Sequence, residues 1–232
     1  MTDDAQAIDA GLSAVLGAIA RTLQAEPDVD ATLVAIVKAA EDHIEGTQYA
    51  GISLVEKGHR IRTVAPTDEV VTELDAVQYR TGEGPCVDAI TDHRVYRTGN
   101  MLDEDRWPAF APAAAATGVR SMLSYRLFAS ETTMGALNLY SRRRDAFSEQ
   151  TEEDGRVFAT HAAIALIGAQ TEARLVAAIE TRDVIGMAKG ILMQRHALDP
   201  VQAFRMLVES SQNANMKLNE VAAWLVENHG EL

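Results

Sequence analysis

The last sixty residues hold a group of basic, amide and hydroxyl side chains that can contact a nucleic acid. Cationic side chains bind phosphates without reading sequence, whereas amides and hydroxyls hydrogen-bond to exposed bases in loops. The candidates for phosphate contact are Lys189, Arg195, Arg205 and Lys217, and the candidates for base contact are Ser211, Gln212, Asn213 and Asn215. Residues of the second kind are equally common in helix caps and turns, so both interpretations stay open for each of these four.

The single cysteine, Cys86, follows a Gly-Glu-Gly-Pro turn at residues 82–85. One cysteine cannot form an intrachain disulfide, and its simplest role is that of a small buried apolar residue. Reversible oxidation would require a stabilised thiolate. The six histidines show no metal-ligand spacing, and the sequence has no phosphate-binding glycine loop with a lysine and no nucleophile elbow. We therefore expect neither a metal site nor an enzyme.

The charge of the chain restricts how it can bind a nucleic acid. The formal net charge is −13, whereas nucleic-acid binders usually show a basic balance or a basic patch. Residues 170–232 hold six Lys/Arg and eight Asp/Glu, so this part carries −2 and residues 1–169 carry −11. Any such affinity must come from a local cluster of side chains, from a dimer that presents two clusters, or from both.

Helices and strands that must position these residues alternate in the first two thirds of the chain. Helical spacing of apolar residues at 8–23 and from Asp30 to Ala40 comes first. A hairpin follows at 49–65, then a short strand near Val95, an alanine-rich helix at about 107–117, and two strands at 121–128 and 134–140. Strands in one block with helices around them predict an α+β domain with an antiparallel sheet flanked by helices.

From Ser148 onward every pattern is helical. No proline occurs between there and Pro200, so one helix can run from about Ser148 to His196. That length favours a dimer stalk whose buried seam would be formed by Phe158, Ala162, Ala165, Ala169, Leu175, Ile179 and Ile185. The alternative is two consecutive helices that bend near Gly168 and pack within one chain.

Two short helices end the chain. Asp199-Pro200 is a strong restart, with a capping residue before proline, and a helix follows to about Gln212. The polar turn 213–215 precedes a last helix at about 218–228. Three helices in about sixty residues make a small all-α bundle, in which we expect Met193 and Phe204 to belong to the core.

The run 188–196, Ala-Lys-Gly-Ile-Leu-Met-Gln-Arg-His, resembles the core signature of the ANTAR domain. The resemblance continues without gaps through Ala203-Phe204, Leu207, Ser211, Asn215, Lys217-Leu218 and Val221-Ala222. It implies an RNA-binding module of bacterial antitermination regulators, which binds tandem stem-loops in nascent transcripts. Val208-Glu209, Met216 and Asn219 stand where the family often carries basic residues, and each lost phosphate contact weakens binding.

The first 165 residues resemble a GAF domain. The residues that carry this resemblance are the segment 49–54, the turn 82–86, the segment 135–140 and Phe147-Ser148. It implies a small-molecule pocket on one face of the sheet, near Gly84, Cys86, Trp107, Phe110 and Tyr125, with a ligand that the sequence does not identify. The alternative is a packed domain that serves mainly for dimerisation.

Together these resemblances predict a GAF-type sensor domain at 1–165 and an ANTAR RNA-binding domain at 166–232, with a linker helix at about 148–180. The expected function is a signal-responsive RNA-binding regulator of transcription termination, a homodimer through the linker helix. Two alternatives stay open: a DNA-binding regulator of helix-turn-helix type, and a protein-interaction scaffold.

Location follows from what the sequence lacks. The acidic N-terminus has no basic and apolar regions of a signal peptide. No stretch approaches the roughly 20 apolar residues that cross a bilayer, so we expect a cytoplasmic protein without a membrane segment.

Overall fold

The computed structural model describes residues 28–229 apart from 57, 59, 93, 94, 130 and 131. The helix expected at 8–23 lies outside the described residues. The chain divides into two compact units, Met1–Gln170 and Thr171–Leu232. The sequence placed this division between residues 165 and 166.

The first unit is built on a five-stranded antiparallel sheet. Its strands are β1 (Tyr49–Val55), β2 (Ile61–Val64), β3 (Tyr96–Thr98), β4 (Ser121–Ala129) and β5 (Thr132–Ser141), in the order β2-β1-β5-β4-β3. The two hairpins and the short strand near Val95 are thereby confirmed. Strand alternation sends odd-numbered residues of β4, such as Leu123 and Leu127, to one face, and Met122 and Ser124 to the other.

One face of the sheet is covered by α1 (Val29–His43), whose first turn is capped by Asp28, and by the first part of the long helix that begins at Glu149. Leu33 and Ile36 of α1 pack there against Leu137 and the other apolar side chains of the central strands. This apolar layer forms the larger core of the unit, because both helices present a continuous apolar stripe to it.

The opposite face is covered by three further helices. These are α2 (Glu69–Thr81), α3 (Pro85–Asp92) and α4 (Ala111–Ala116), and a single 3₁₀ turn lies at Met101–Asp103. Helices α2 and α3 were not predicted from the sequence, and α4 is shorter than the helix expected at about 107–117. The buried side of α2 mixes Val71 and Leu74 with Asp75 and Gln78, so its apolar period is interrupted. Residues 107–110 form a turn, with the Ala111 amide bonded to the Trp107 carbonyl.

Helix α5 (Glu149–His196) runs without interruption for 48 residues, as the sequence predicted. Ser148 caps it, because its hydroxyl accepts a hydrogen bond of 3.0 Å from the Thr151 amide. Phe158 and Ala162 of the expected seam are buried in the first unit, but every residue from 171 to 180 is exposed.

One 18-residue window of α5, with mean hydropathy 1.4, is apolar enough to cross a bilayer by length and composition. The expectation that no segment has this property was therefore wrong. A single such helix is weak evidence for a membrane. The same helix supplies Phe158 and Leu166 to the core of the first unit and Leu192 to the core of the second.

The second unit consists of the end of α5, α6 (Pro200–Ala214) and α7 (Leu218–Glu227). Asp199 and Gln202 form a reciprocal capping box at the beginning of α6. The small core contains Ala188, Leu192, Ala203, Leu207, Ala222 and Leu225. Alanines at half of these positions let three short helices approach closely.

Candidate functional sites

The polar residues at the end of α6 and in the turn before α7 divide into structural and free groups. Asn215 adopts the left-handed conformation, with φ 51°, that ends α6. The Ser211 hydroxyl donates to the Met216 carbonyl at 2.6 Å and thereby closes the turn. Gln212 and Asn213 are exposed and make no side-chain hydrogen bond within the described residues. Their amides are therefore available to a ligand of the second unit.

The four basic residues predicted to contact phosphate lie at different places on the surface of the second unit. Lys217 begins α7 beside that turn, and its ammonium is only loosely paired, 4.0 Å from the Glu220 carboxylate. Arg195 donates to the His229 carbonyl beyond the other end of α7. Since α7 has ten residues, these two cations are separated by roughly 15 Å along the helix. Arg205 is exposed on α6.

Phe204 lies on the surface, although the sequence placed it in the core. Its side chain is 41% exposed, whereas Met193 packs partly buried against the core as expected. The Lys189 ammonium lies 6.0 Å from the centre of the Phe204 ring. An exposed aromatic ring can stack on a base, and the cation next to it can contact the phosphate. Sequence periodicity missed this because Phe204 follows Ala203, which takes the core position.

The residues that the sequence assigned to a sensor pocket lie on both faces of the sheet. Cys86, Trp107 and Phe110 are buried together under α2, α3 and α4. Gly84, at φ 130°, begins α3 beside them. Tyr125 lies on the opposite face, where its hydroxyl donates to the carbonyl of Glu152 at 3.0 Å on α5. The structure thus brings four of the five residues together and places Tyr125 apart from them.

Hydrogen bonds fix the segments around these four residues. The Glu83 carboxylate accepts from the amides of Ala109, at 2.7 Å, and Phe110. The Trp107 indole donates to the Asp88 carboxylate at 2.7 Å. The Gly-Glu-Gly-Pro turn is therefore fastened to the segment before α4 and closes one end of the buried layer.

The most polar part of this face surrounds Asp75 and was not among the sites predicted from the sequence. This carboxyl is fully buried on α2 and accepts hydrogen bonds from five neutral side chains: Ser53, Thr63, Gln78, Tyr79 and Tyr140. Burial raises its pKa above the ordinary value, because desolvation outweighs these bonds. The polar residues of β1, β2 and β5 were the available sign of this polar site. The face of the sheet on which they lie could not be known without α2.

Cys86 belongs to the same network. Its thiol donates to the Ser53 hydroxyl at 3.1 Å. Burial, and then the nearby Asp75, raise the pKa of the thiol to about 12, so it stays protonated at neutral pH and is a poor nucleophile. Among the described residues no group of three or more His, Cys, Asp or Glu side chains could hold a metal ion.

Solved structures with the same fold include GAF domains and a reductase. A GAF domain of a phosphoenolpyruvate-protein phosphotransferase from Coxiella burnetii is 14% identical, with a TM-score of 0.57, over 71% of this chain and 97% of that one. Free methionine-R-sulfoxide reductase from Neisseria meningitidis, in complex with its substrate, is 16% identical, with a TM-score of 0.52, over 69% and 91%. At these identities the likeness concerns the fold alone. No curated protein matches the chain.

Family models match both units. The GAF domain model matches residues 26–167, more than half of the chain, and the ANTAR domain model matches residues 173–226. A GAF domain implies a sensor and an ANTAR domain implies an RNA-binding antitermination regulator, and these families are regulatory rather than enzymatic. The chain therefore belongs to the GAF–ANTAR family, with a GAF domain followed by an ANTAR domain.

Proposed function

We propose that this protein controls transcription termination by binding two tandem stem-loops in nascent RNA, and that its GAF domain gates this binding. The observation that carries the proposal is the ANTAR match over 173–226. Exposed side chains suited to RNA support it, since Gln212, Asn213 and Lys217 surround one turn and Phe204 lies beside Lys189. Unpaired loop bases are read by amides and stacked on aromatic rings.

The protein acts as a homodimer through α5. Leu175 and Ile179 are 61% and 60% exposed, and Val176 lies between them on a stretch where no residue is buried. Isolated apolar side chains on a surface are common, but three within five residues of one bare helix favour a helix partner. A dimer also presents two copies of the basic residues, which compensates for the near-neutral charge of each ANTAR domain.

The GAF domain supplies the signal in the cytoplasm by binding a small molecule on the face covered by α2, α3 and α4. For the signal to act, the small molecule must bind the RNA-competent state more tightly than the inactive one. Cys86 is a poor redox sensor in this arrangement because its thiol is buried and protonated.

Binding of the full-length protein to a labelled RNA with two small stem-loops, measured across a salt series, tests the proposal. Duplex DNA of matched length and an RNA with altered loop sequences are the controls. We expect loop-dependent binding whose affinity falls with salt, and a Lys217→Gln variant whose salt slope is smaller by about 0.7 to 1. Arg174→Gln, at another exposed cation on the bare part of α5, should leave the slope unchanged.

Two results would contradict the proposal. Preference for duplex DNA would favour the helix-turn-helix alternative, in which α7 reads a groove. Equal affinity for intact and altered loops would remove the sequence-reading role of the turn between α6 and α7.

A further inference from the structure

A carboxylate without a counter-charge lies at the centre of the GAF domain. Asp75 Oδ1 accepts hydrogen bonds from Tyr140 at 2.5 Å and Gln78 at 3.1 Å, and Oδ2 accepts from Thr63 at 2.8 Å. Within the described residues no Lys, Arg or His forms an ion pair with it. A buried charge without an opposite charge costs several kcal/mol, roughly, unless it is neutralised.

A row of polar side chains crosses the sheet next to Asp75. Thr63 and Ser53 are paired on β2 and β1, and Asn138 and Ser124 are paired on β5 and β4. The Asn138 amide donates to the Ser53 hydroxyl at 2.9 Å, and Ser124 donates to the Asn138 carbonyl oxygen at 2.9 Å. The row thus joins four strands in one hydrogen-bond network.

This network is unusual for a sheet face that helices cover. The other face of the same sheet is apolar, and apolar residues at these positions would contribute hydrophobic burial at no cost in hydrogen bonds. Where a fold places polar groups in its core against this advantage, a functional site is the common reason.

The amide side chain of Gln78 links Asp75 to α3. Gln78 Nε2 donates to Asp75, and Gln78 Oε1 accepts from the Cys86 amide at 2.9 Å. A Cβ atom at Gly84 would lie 2.3 Å from Gln78 Oε1, so glycine is required for this side chain to fit. Rotation of Gln78 would open one of the two hydrogen-bonding positions on Asp75 Oδ1, because Tyr140 holds the other.

We propose that Asp75 and the Asn138 carbonyl oxygen bind the ammonium group of a small primary amine, which takes the place of the Gln78 amide on Asp75. The proposal rests on the sensor role given to the GAF domain above and names the class of its ligand. A primary ammonium has three N–H donors and supplies the positive counter-charge that is missing beside Asp75. An anion would be repelled by the carboxylate, and because Asp75 and Asn138 are fully buried, only a compact group can reach them.

Thermal unfolding of the full-length protein, without RNA, tests this site separately from RNA binding. The probes are methylammonium and propylammonium chloride, with sodium chloride and tetramethylammonium chloride at equal ionic strength as controls. Tetramethylammonium carries the charge but no N–H donor. We expect a primary amine at about ten times its dissociation constant to raise the melting temperature of the GAF domain by about 4 °C, and the controls to have no effect.

The Asp75→Asn variant should fold and lose this response. Its carbonyl oxygen can keep the Gln78 and Tyr140 bonds, while its amide donates to Ser53 and Thr63, whose hydroxyls can accept as well as donate. A second variant, Gln78→Met, removes the competing donor and should lower the amine concentration at half-effect by about tenfold.

Three results would overturn the proposal: no response of the wild type to either primary amine, an equal response in Asp75→Asn, or a weaker response in Gln78→Met. Loss of RNA binding with an intact amine response would instead refute the proposed function and leave this site standing.

Discussion

Replacement of Gly155 by alanine tests how closely α5 is packed on the GAF sheet. Gly155 is buried on α5, and a Cβ atom there would lie 2.1 Å from the Tyr125 hydroxyl oxygen and 2.5 Å from Cζ of the same ring. Ordinary carbon contacts are about 3.5–4.0 Å, so either the ring or the helix must move by more than 1 Å, roughly. The hydroxyl bonds from Tyr125 to Thr151 and Glu152 would be strained by the same movement.

Two opposing effects determine how much Gly155→Ala changes the free energy of unfolding. Alanine in place of glycine in a helix stabilises by about 1 kcal/mol, because the unfolded chain loses conformational freedom. Overpacking in a rigid core costs about 1–3 kcal/mol, and weakening of the Tyr125 hydrogen bonds adds about 1 kcal/mol. The clash is therefore the larger effect, and we expect Gly155→Ala to lower the free energy of unfolding of the GAF domain by about 2 kcal/mol.

Gly168→Ala is the matched control in the same helix. An added Cβ at Gly168 meets no atom within 4 Å, so we expect this variant to be stabilised by about 0.5–1 kcal/mol. Urea unfolding followed by the fluorescence of Trp107, which is 2% exposed, reports on the GAF domain alone when the 51% exposed Trp224 is replaced by phenylalanine.

The sign of the difference in unfolding free energy between these two variants shows whether α5 is packed this closely against Tyr125. If Gly155→Ala is stabilised as much as Gly168→Ala, the close contact between α5 and Tyr125 does not exist in solution. A Tyr125→Leu background provides a second check, since the atoms that clash are absent there and the cost of Gly155→Ala should largely disappear.

Three further predictions concern other parts of the chain. Ile179→Glu should dissociate the proposed dimer in sedimentation velocity experiments, whereas Ala177→Glu, on the other side of the same helix, should not; equal behaviour of both would exclude this face as the interface. Leu207→Ala should destabilise the ANTAR domain by about 2–4 kcal/mol in helical circular dichroism, and Val201→Ala, at an exposed position of the same helix, by less than about 0.5 kcal/mol. Because folding raises the pKa of Asp75, ionisation of this carboxyl opposes the folded state. The free energy of unfolding of the wild type, relative to that of Asp75→Asn, should therefore fall as pH rises above about 4 and level off above the folded-state pKa. A difference in unfolding free energy that stays constant with pH would contradict the raised pKa.

The elements that sequence predicted best are those whose residues follow one period. Helix α5 has no proline between Ser148 and Pro200, and strand β4 alternates Leu123, Tyr125 and Leu127 with Ser124 and Arg126. Helix α2 escaped prediction because Asp75 and Gln78 occupy its buried side, where the pattern requires apolar residues. The same two residues form the polar centre, so the feature that hid the helix is also the feature that marks the site.

The position of Tyr125 shows a different limit. Its neighbours in β4 suggest a buried side chain, but only the register with β5 decides which face it occupies, and register is a tertiary property. Phe204 was misplaced for a related reason, since Ala203 is small enough to take the core position in a bundle whose helices lie close together. In both cases the residue type suggested the role of the side chain, but the sequence did not determine the direction in which it points.

Strand β5 offers a physical connection between the polar centre and α5. Asn138 and Tyr140 point from β5 into the polar network, while Leu137 and Leu139, the residues between them, belong to the apolar core that α5 covers. A group that binds at Asp75 and shifts β5 would therefore move the surface on which α5 packs. Since α5 continues unbroken to His196 and carries Lys189 and Arg195, a change in its packing at Phe158 would act on the same helix that presents these cations. Coupling of this kind requires two discrete packing states of α5 with different affinities for the small molecule.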